Sequence, residues 1–219
     1  MSKEKIRLGI CPGFPGAEPE VDGDYDLAGF VAETADYCAE YVIVCPDIKG
    51  EAPGQDSLQR EDFIINTFVL KRWLDMLEQG KTPRNLVDFH SRHKYLIMAR
   101  SVESYRRMGK LVAQSGELVA GILYQNYLVM LLGVLGLETT LPKHINVLQH
   151  IFGYFKKQLN AAEKQEVLAV FESFRTLQEP LRVPISLLKK LARKYEQPYL
   201  LQQVYLNPYL LEQRQRNHV

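Results

Sequence analysis

The heptapeptide Phe89-His90-Ser91-Arg92-His93-Lys94-Tyr95 sets two imidazoles three residues apart inside a stretch of helical spacing. At about 100° per residue, His90 and His93 share a stripe with Leu86 and Ile97, and Arg100 falls at its edge. Imidazole changes charge near neutral pH, so such a pair fits general acid/base catalysis. The same two rings are also accounted for as core histidines, provided each has a hydrogen-bond partner, since burying a polar group unpaired costs a few kcal/mol. Nothing adds a metal site here: no His-Glu-x-x-His pattern is present, and Asp88 projects from another part of the helix.

A second constellation lies further along. In a helix expected over 142–159, Ile145, Leu148, Ile151, Phe152, Phe155 and Leu159 form an apolar stripe. Opposite it fall Lys143, Val147, His150, Tyr154 and Lys157. Cations interleaved with an aromatic ring can receive phosphates and stack a base, although a solvated face has the same composition. Lys189, Lys190, Arg193 and Lys194, and separately Arg106, Arg107 and Lys110, add further positive charge.

Cys11 and Cys45 make the third group. Each ends an expected strand, and the carboxyl ends of parallel strands form the mouth where open α/β sheets bind ligands. Two thiols there could hold a metal or take part in redox chemistry. Cys38 falls on the core face of its helix and reads as a small buried residue. Several chemistries are excluded. The loop Pro12-Gly13-Phe14-Pro15-Gly16 is neither a dinucleotide fingerprint nor a Walker A sequence, its prolines remove donors that a phosphate needs, and no Gly-x-Ser-x-Gly elbow occurs.

The elements that position these groups follow from periodicity and caps. Residues 6–10 and 41–44 are strand-like and flank a helix over 27–39, a β-α-β order that favours two parallel strands with a right-handed crossover. From residue 58 onward the pattern is helical throughout, with helices expected over 62–77, 83–99, 101–114, 117–135, 142–159, 160–177, 184–195 and 198–206. Gly80 closes the first of these, Thr82-Pro83 and Ser101 open the next two, and Asn160-x-x-Glu163 is a capping box. The fold class is therefore mainly α, about eight helices behind a small β-α-β unit, with domains at 1–57 and 58–219. The uncharged run Leu118–Leu137 contains Tyr124, Gln125, Asn126 and Tyr127 and reads as a buried core helix rather than a membrane span. Met1-Ser2-Lys3-Glu4-Lys5 is not a secretory leader, and three cysteines do not make a disulfide framework, so a reducing cytoplasmic setting is expected.

Charge divides at the same place. Residues 1–57 hold 4 basic against 12 acidic side chains and residues 58–219 hold 23 against 14, so a net formal charge of +1 conceals halves of −8 and +9. An anionic partner suits the second half, although part of its charge could be answered by the first.

Three stretches carry a family resemblance. They are Phe89–Ala99, then Asn146-Val147-Leu148-Gln149-His150-Ile151-Phe152-Gly153-Tyr154-Phe155-Lys156, then Tyr199-Leu200-Leu201-Gln202-Gln203-Val204-Tyr205-Leu206-Asn207-Pro208-Tyr209. Over about residues 61–210 the chain resembles the YbgA-like family, a helical bacterial domain of unknown function. The polar residues of these motifs, Arg92, Lys94, Gln202, Gln203, Tyr205 and Asn207, join Lys143, His150, Tyr154 and Lys157 as candidate binding residues. The YbgA-like domain is often fused behind one similar to the thiouracil desulfidases, which hold a [4Fe-4S] cluster on three cysteines. Residues 5–50 look like a shortened copy of that partner: strand, Cys11, Asp22-Gly23, helix, strand and Cys45-Pro46. The resemblance implies Cys11 and Cys45 as two cluster ligands, while the segment bearing the third is missing. The expectation is no resident cofactor, with a [4Fe-4S] cluster as the alternative.

The functional expectation is a binding or accessory module for an anionic ligand, a nucleotide or RNA, or for a desulfidase-like protein. The alternative is an enzyme of nucleobase or sulfur metabolism using Cys11 and Cys45 with His90 and His93.

Overall fold

The computed structural model describes residues 53–209. The β-α-β unit, the shortened desulfidase-like segment and Cys11, Cys38 and Cys45 lie outside the described residues. Within them there are eight α-helices and one 3-10 turn, and no strand. The helices are α1 (Pro53–Glu78), α2 (Pro83–Arg100), α3 (Val102–Ala113), α4 (Ala120–Leu135), α5 (Leu141–Phe152), α6 (Ala161–Arg175), α7 (Arg182–Lys194) and α8 (Pro198–Leu201), with the 3-10 turn at Gly153–Phe155. The chain divides into two compact units, Met1–Asp75 and Met76–Val219, so the division falls inside α1.

Local signals set most helix ends. Gly80 takes a φ of +100°, a left-handed conformation that ends α1 without Cβ strain. The Thr82 hydroxyl accepts from the Asn85 amide at 3.2 Å with Pro83 at the first helical position, and the Ser101 hydroxyl accepts from the Ser104 amide at 3.0 Å. At α6 the Asn160 side chain accepts from the Glu163 amide at 2.9 Å while Glu163 accepts from the Asn160 amide at 3.1 Å, a complete capping box.

Several boundaries differ from the sequence reading. The first helix begins at Pro53 rather than near residue 62, and the helix expected over 142–159 stops at Phe152 and tightens into the 3-10 turn. The last helix is a single turn, after which residues 202–209 continue without regular structure. The core face of α5 is also rotated. Val147, placed on the polar face by periodicity, is fully buried with Leu148 and Ile151, whereas Ile145 and Phe152 are partly exposed.

Within the second unit α2 is the central helix, packing against α3, α4 and α5, and a second group runs from α5 through α6 and α7 to α8. Leu86, His93, Ile97 and Arg100 on α2 are all buried; enclosing a Leu or Ile stabilises by roughly 2 kcal/mol. Arg100 donates to the carbonyls of Leu135 at 3.1 Å and Leu137 at 2.6 Å, satisfying the open C-terminal end of α4 with a buried cation. The apolar run Leu118–Leu137 forms α4, which buries Leu123, Tyr127, Leu131 and Val134 and leaves Ile122 and Val129 exposed. Among the described residues no helix is long and apolar enough to cross a membrane.

Candidate functional site

Both α2 histidines lie in the interior. His93 is 1% exposed, its Nδ1 is 2.7 Å from the Phe89 carbonyl, and its ring stacks on Phe89 at 3.9 Å. His90 places Nδ1 3.0 Å from the Tyr127 hydroxyl, and burial, followed by the nearby Lys94 charge, holds its pKa down at about 4. Each Nδ1 is thus engaged by a group of the fold itself.

One turn beyond His90, on the side of α2 away from the core, the chemistry changes. Lys94 projects from the half-buried edge of α2 with its ammonium 4.7 Å from the centre of the Tyr95 ring and 4.9 Å from that of Tyr199. Both distances are within cation–π range. The same nitrogen is 3.5 Å from the Tyr154 hydroxyl. Tyr154, from the 3-10 turn, and Tyr199, from α8, stack on each other at 5.9 Å with 26° between their planes. Three elements distant in sequence therefore converge on one cation.

The electrostatics keep that cation charged. Burial alone would lower the Lys94 pKa, but the Tyr199 and Tyr154 hydroxyls together outweigh it and the net direction is up. Burial, with the Tyr154 hydroxyl second, pushes the Tyr95 hydroxyl up and keeps it neutral. No carboxylate forms an ion pair with Lys94 among the described residues, whereas Arg92, two residues earlier on the same helix, is paired with Asp88 at 2.9 Å. An ammonium has three donors, and the Tyr199 and Tyr154 hydroxyls engage at most two of them. With Tyr154 41% exposed, the cluster presents a positive point charge beside an accessible aromatic surface.

The other candidate residues divide. Lys143 donates to the Glu138 carbonyl at 2.8 Å and so fastens the loop before α5. Gln203 is fully buried and donates to the Ser91 carbonyl at 3.1 Å, beside a Val204 amide bond to the Arg92 carbonyl at 3.0 Å, so residues 203 and 204 fasten the C-terminal segment to α2. Asn207 donates to the Leu201 carbonyl at 2.8 Å. Tyr205 is buried with its hydroxyl 2.9 Å from Nδ1 of His144. His150, Lys157 and Gln202 are exposed. Of the ten binding candidates, Lys94 and Tyr154 meet directly. Tyr95 and Tyr199 complete their cluster and His144 pairs with the buried Tyr205, none of the three singled out by helical spacing. Both tyrosines do stand within the quoted motifs.

This is a helical unit with a cation–tyrosine cluster at its surface, and the comparisons with known proteins place it in a family. Residues 94–209 match the family described as "Protein of unknown function (DUF1722)", and the chain belongs to that family. It is 32% identical over 152 residues to "Uncharacterized protein YbgA" of Escherichia coli (strain K12), a match covering 68% of this chain and 90% of that protein. No solved structure matches the chain.

Proposed function

We propose that the chain is a binding module and that the Lys94–Tyr154–Tyr199 cluster receives a ligand of nucleotide type, with phosphate at the Lys94 ammonium and a base against the Tyr154 ring. One observation carries the reading: Lys94 is held by tyrosine rings and hydroxyls, without a carboxylate among the described residues. A half-buried cation without a counter-ion favours an anion, and an exposed ring beside it favours one that also bears a flat aromatic group. A charge-assisted contact of this kind is worth roughly 2 kcal/mol.

The test is calorimetric titration of the full chain with adenosine and uridine 5′-monophosphates and with inorganic phosphate. The nucleotides bind more tightly than phosphate, and Lys94→Met or Tyr154→Ala weakens them by tenfold or more. Binding that both variants leave intact, or no binding at all, rejects the reading.

The enzyme alternative draws its support from the likeness of residues 5–50 to the thiouracil desulfidases. Cys11 and Cys45 provide two thiolates for a cluster that takes three. Among the described residues there is no cysteine and no convergence of three His, Cys, Asp or Glu side chains, so these residues do not complete it. His90 and His93 as an acid/base pair would act from rings that are 9% and 1% exposed. The binding reading needs no such rearrangement and is preferred.

A further inference from the structure

The cluster is not the largest positive feature of the second unit. Helix α7 contains five basic residues and no acidic one. Around its axis, Arg182, Ser186, Lys189, Lys190 and Arg193 fall within about 100° of one another. Arg182, Ser186, Lys190 and Arg193 are exposed and Lys189 is partly so. The opposite side buries Pro184, Leu188, Leu191 and Ala192 against the core. Lys194, at the edge of the cationic face, is paired with Glu163. Arg182, Lys189, Lys190 and Arg193 make no ion pair among the described residues. At about 1.5 Å rise per residue, Arg182, Lys189 and Arg193 stand about 10 and 6 Å apart in a row.

From the C-terminal end of that row the chain runs within six residues to Tyr199 of the tyrosine cluster. Tyr195, directly after α7 and on its core-facing side, has its ring 6.3 Å from that of the buried Phe155, whose chain neighbour is Tyr154. Gln197 donates to the Gln158 side chain at 3.4 Å, and Tyr199 follows on α8. Lys156 and Lys157, both exposed, follow Tyr154 directly in the chain.

We propose that α7 and the cluster together form one track for single-stranded RNA: Tyr154 and Tyr199 take a base, Lys94 its phosphate, and Arg182, Lys189, Lys190 and Arg193 the phosphates that follow. The inference rests on the cluster reading for the class of ligand and deepens it from a nucleotide to a polymer. A row of unpaired cations beside a stacking platform matches how single strands are held without sequence readout. An anionic bilayer fits less well. An interfacial helix buries its apolar side in lipid, and the apolar side of α7 is already committed to the core.

Fluorescein-labelled oligouridylates of two and eight nucleotides, titrated into the full chain at several salt concentrations and followed by anisotropy, test the proposal. The eight-mer binds at least tenfold more tightly than the two-mer. In Lys189→Gln/Lys190→Gln/Arg193→Gln, whose circular dichroism should match the parent, that advantage disappears. The slope of log affinity against log salt falls by about 2, since each single-strand phosphate contact contributes about 0.7. Uridine monophosphate binding is unchanged in this variant. An eight-mer held equally well by the triple variant overturns the track while leaving the cluster reading intact. Eight-mer binding that needs α7 but is indifferent to Lys94→Met overturns the cluster reading and keeps the α7 contacts. Equal affinity for polyglutamate or for vesicles containing phosphatidylserine overturns the assignment to RNA.

Discussion

Two histidines, the buried His90 and the partly exposed His144, couple the stability of the helical unit to pH. Burial holds both pKa values at about 4, with the Lys94 charge adding to the effect at His90 and Arg100 then Lys143 at His144. An unfolded histidine titrates near 6.5, so between about pH 6.5 and 4 the unfolded chain binds protons that the folded chain refuses. The stability that these rings hold in the neutral form is fully present above about pH 6.5. It falls as the pH drops towards 4, by roughly 3 kcal/mol for each ring. Urea unfolding monitored by circular dichroism from pH 7.5 to 4 should show this decline, and His90→Gln/His144→Gln should flatten it. A parent protein whose stability is constant over that interval would show that the rings are charged or solvated. The pair His144–Tyr205 spans 61 residues of sequence. No local pattern announces it, and for the same reason the convergence of Tyr95, Tyr154 and Tyr199 on Lys94 is not legible in the sequence, although Lys94 and Tyr154 each stand out there.

At the scale of elements, what the sequence discloses is what is decided within four residues. Thr82, Ser101 and the Asn160–Glu163 box cap the helices as their types require, because capping is a contact between near neighbours. The start of α1 is hidden in the sequence because Gly54-Gln55-Asp56-Ser57 is polar and has no apolar period. The rotation of the α5 core face, with Val147 inside, is set by the neighbours it packs against, α2, α6 and α7. Two helix ends depart from the expected residue type. After α6, the Gln178 amide bonds the Ser173 carbonyl at 2.9 Å and the Leu177 amide that of Phe174 at 3.1 Å. This pattern places a left-handed residue at Leu177, with a φ of 59°. Glu196 occupies the same position after α7, with a φ of 48°. Glycine is the usual occupant, and a side chain there costs about 1 kcal/mol. Leu177 is 78% exposed and contributes little packing in return. Leu177→Gly should therefore stabilise the chain by about 1 kcal/mol, raising Tm by about 2–4 °C in a thermal scan. An unchanged or lower Tm would show that the leucine makes a compensating contact.

For the whole molecule, the division of charge first visible in composition becomes specific in the second unit. Arg92, Arg175 and Lys194 are answered by Asp88, Glu172 and Glu163, and Arg100 is spent on the end of α4. The positive groups left without an ion pair among the described residues include Lys94 and the face of α7, and the chain runs from α7 through residues 195–198 to Tyr199 of the cluster. Family membership rests on residues 94–209, which contain Lys94, Tyr154, Tyr199 and all of α7. The central claim is that a nucleotide base lies against the stacked tyrosines, and photo-crosslinking reads that contact directly. An oligonucleotide carrying 5-bromouridine, bound to saturation and irradiated, should yield cross-linked peptides that contain Tyr154 or Tyr199, and Tyr154→Ala should reduce the yield. Cross-links confined to peptides lacking both residues, obtained while binding is saturated, would contradict it.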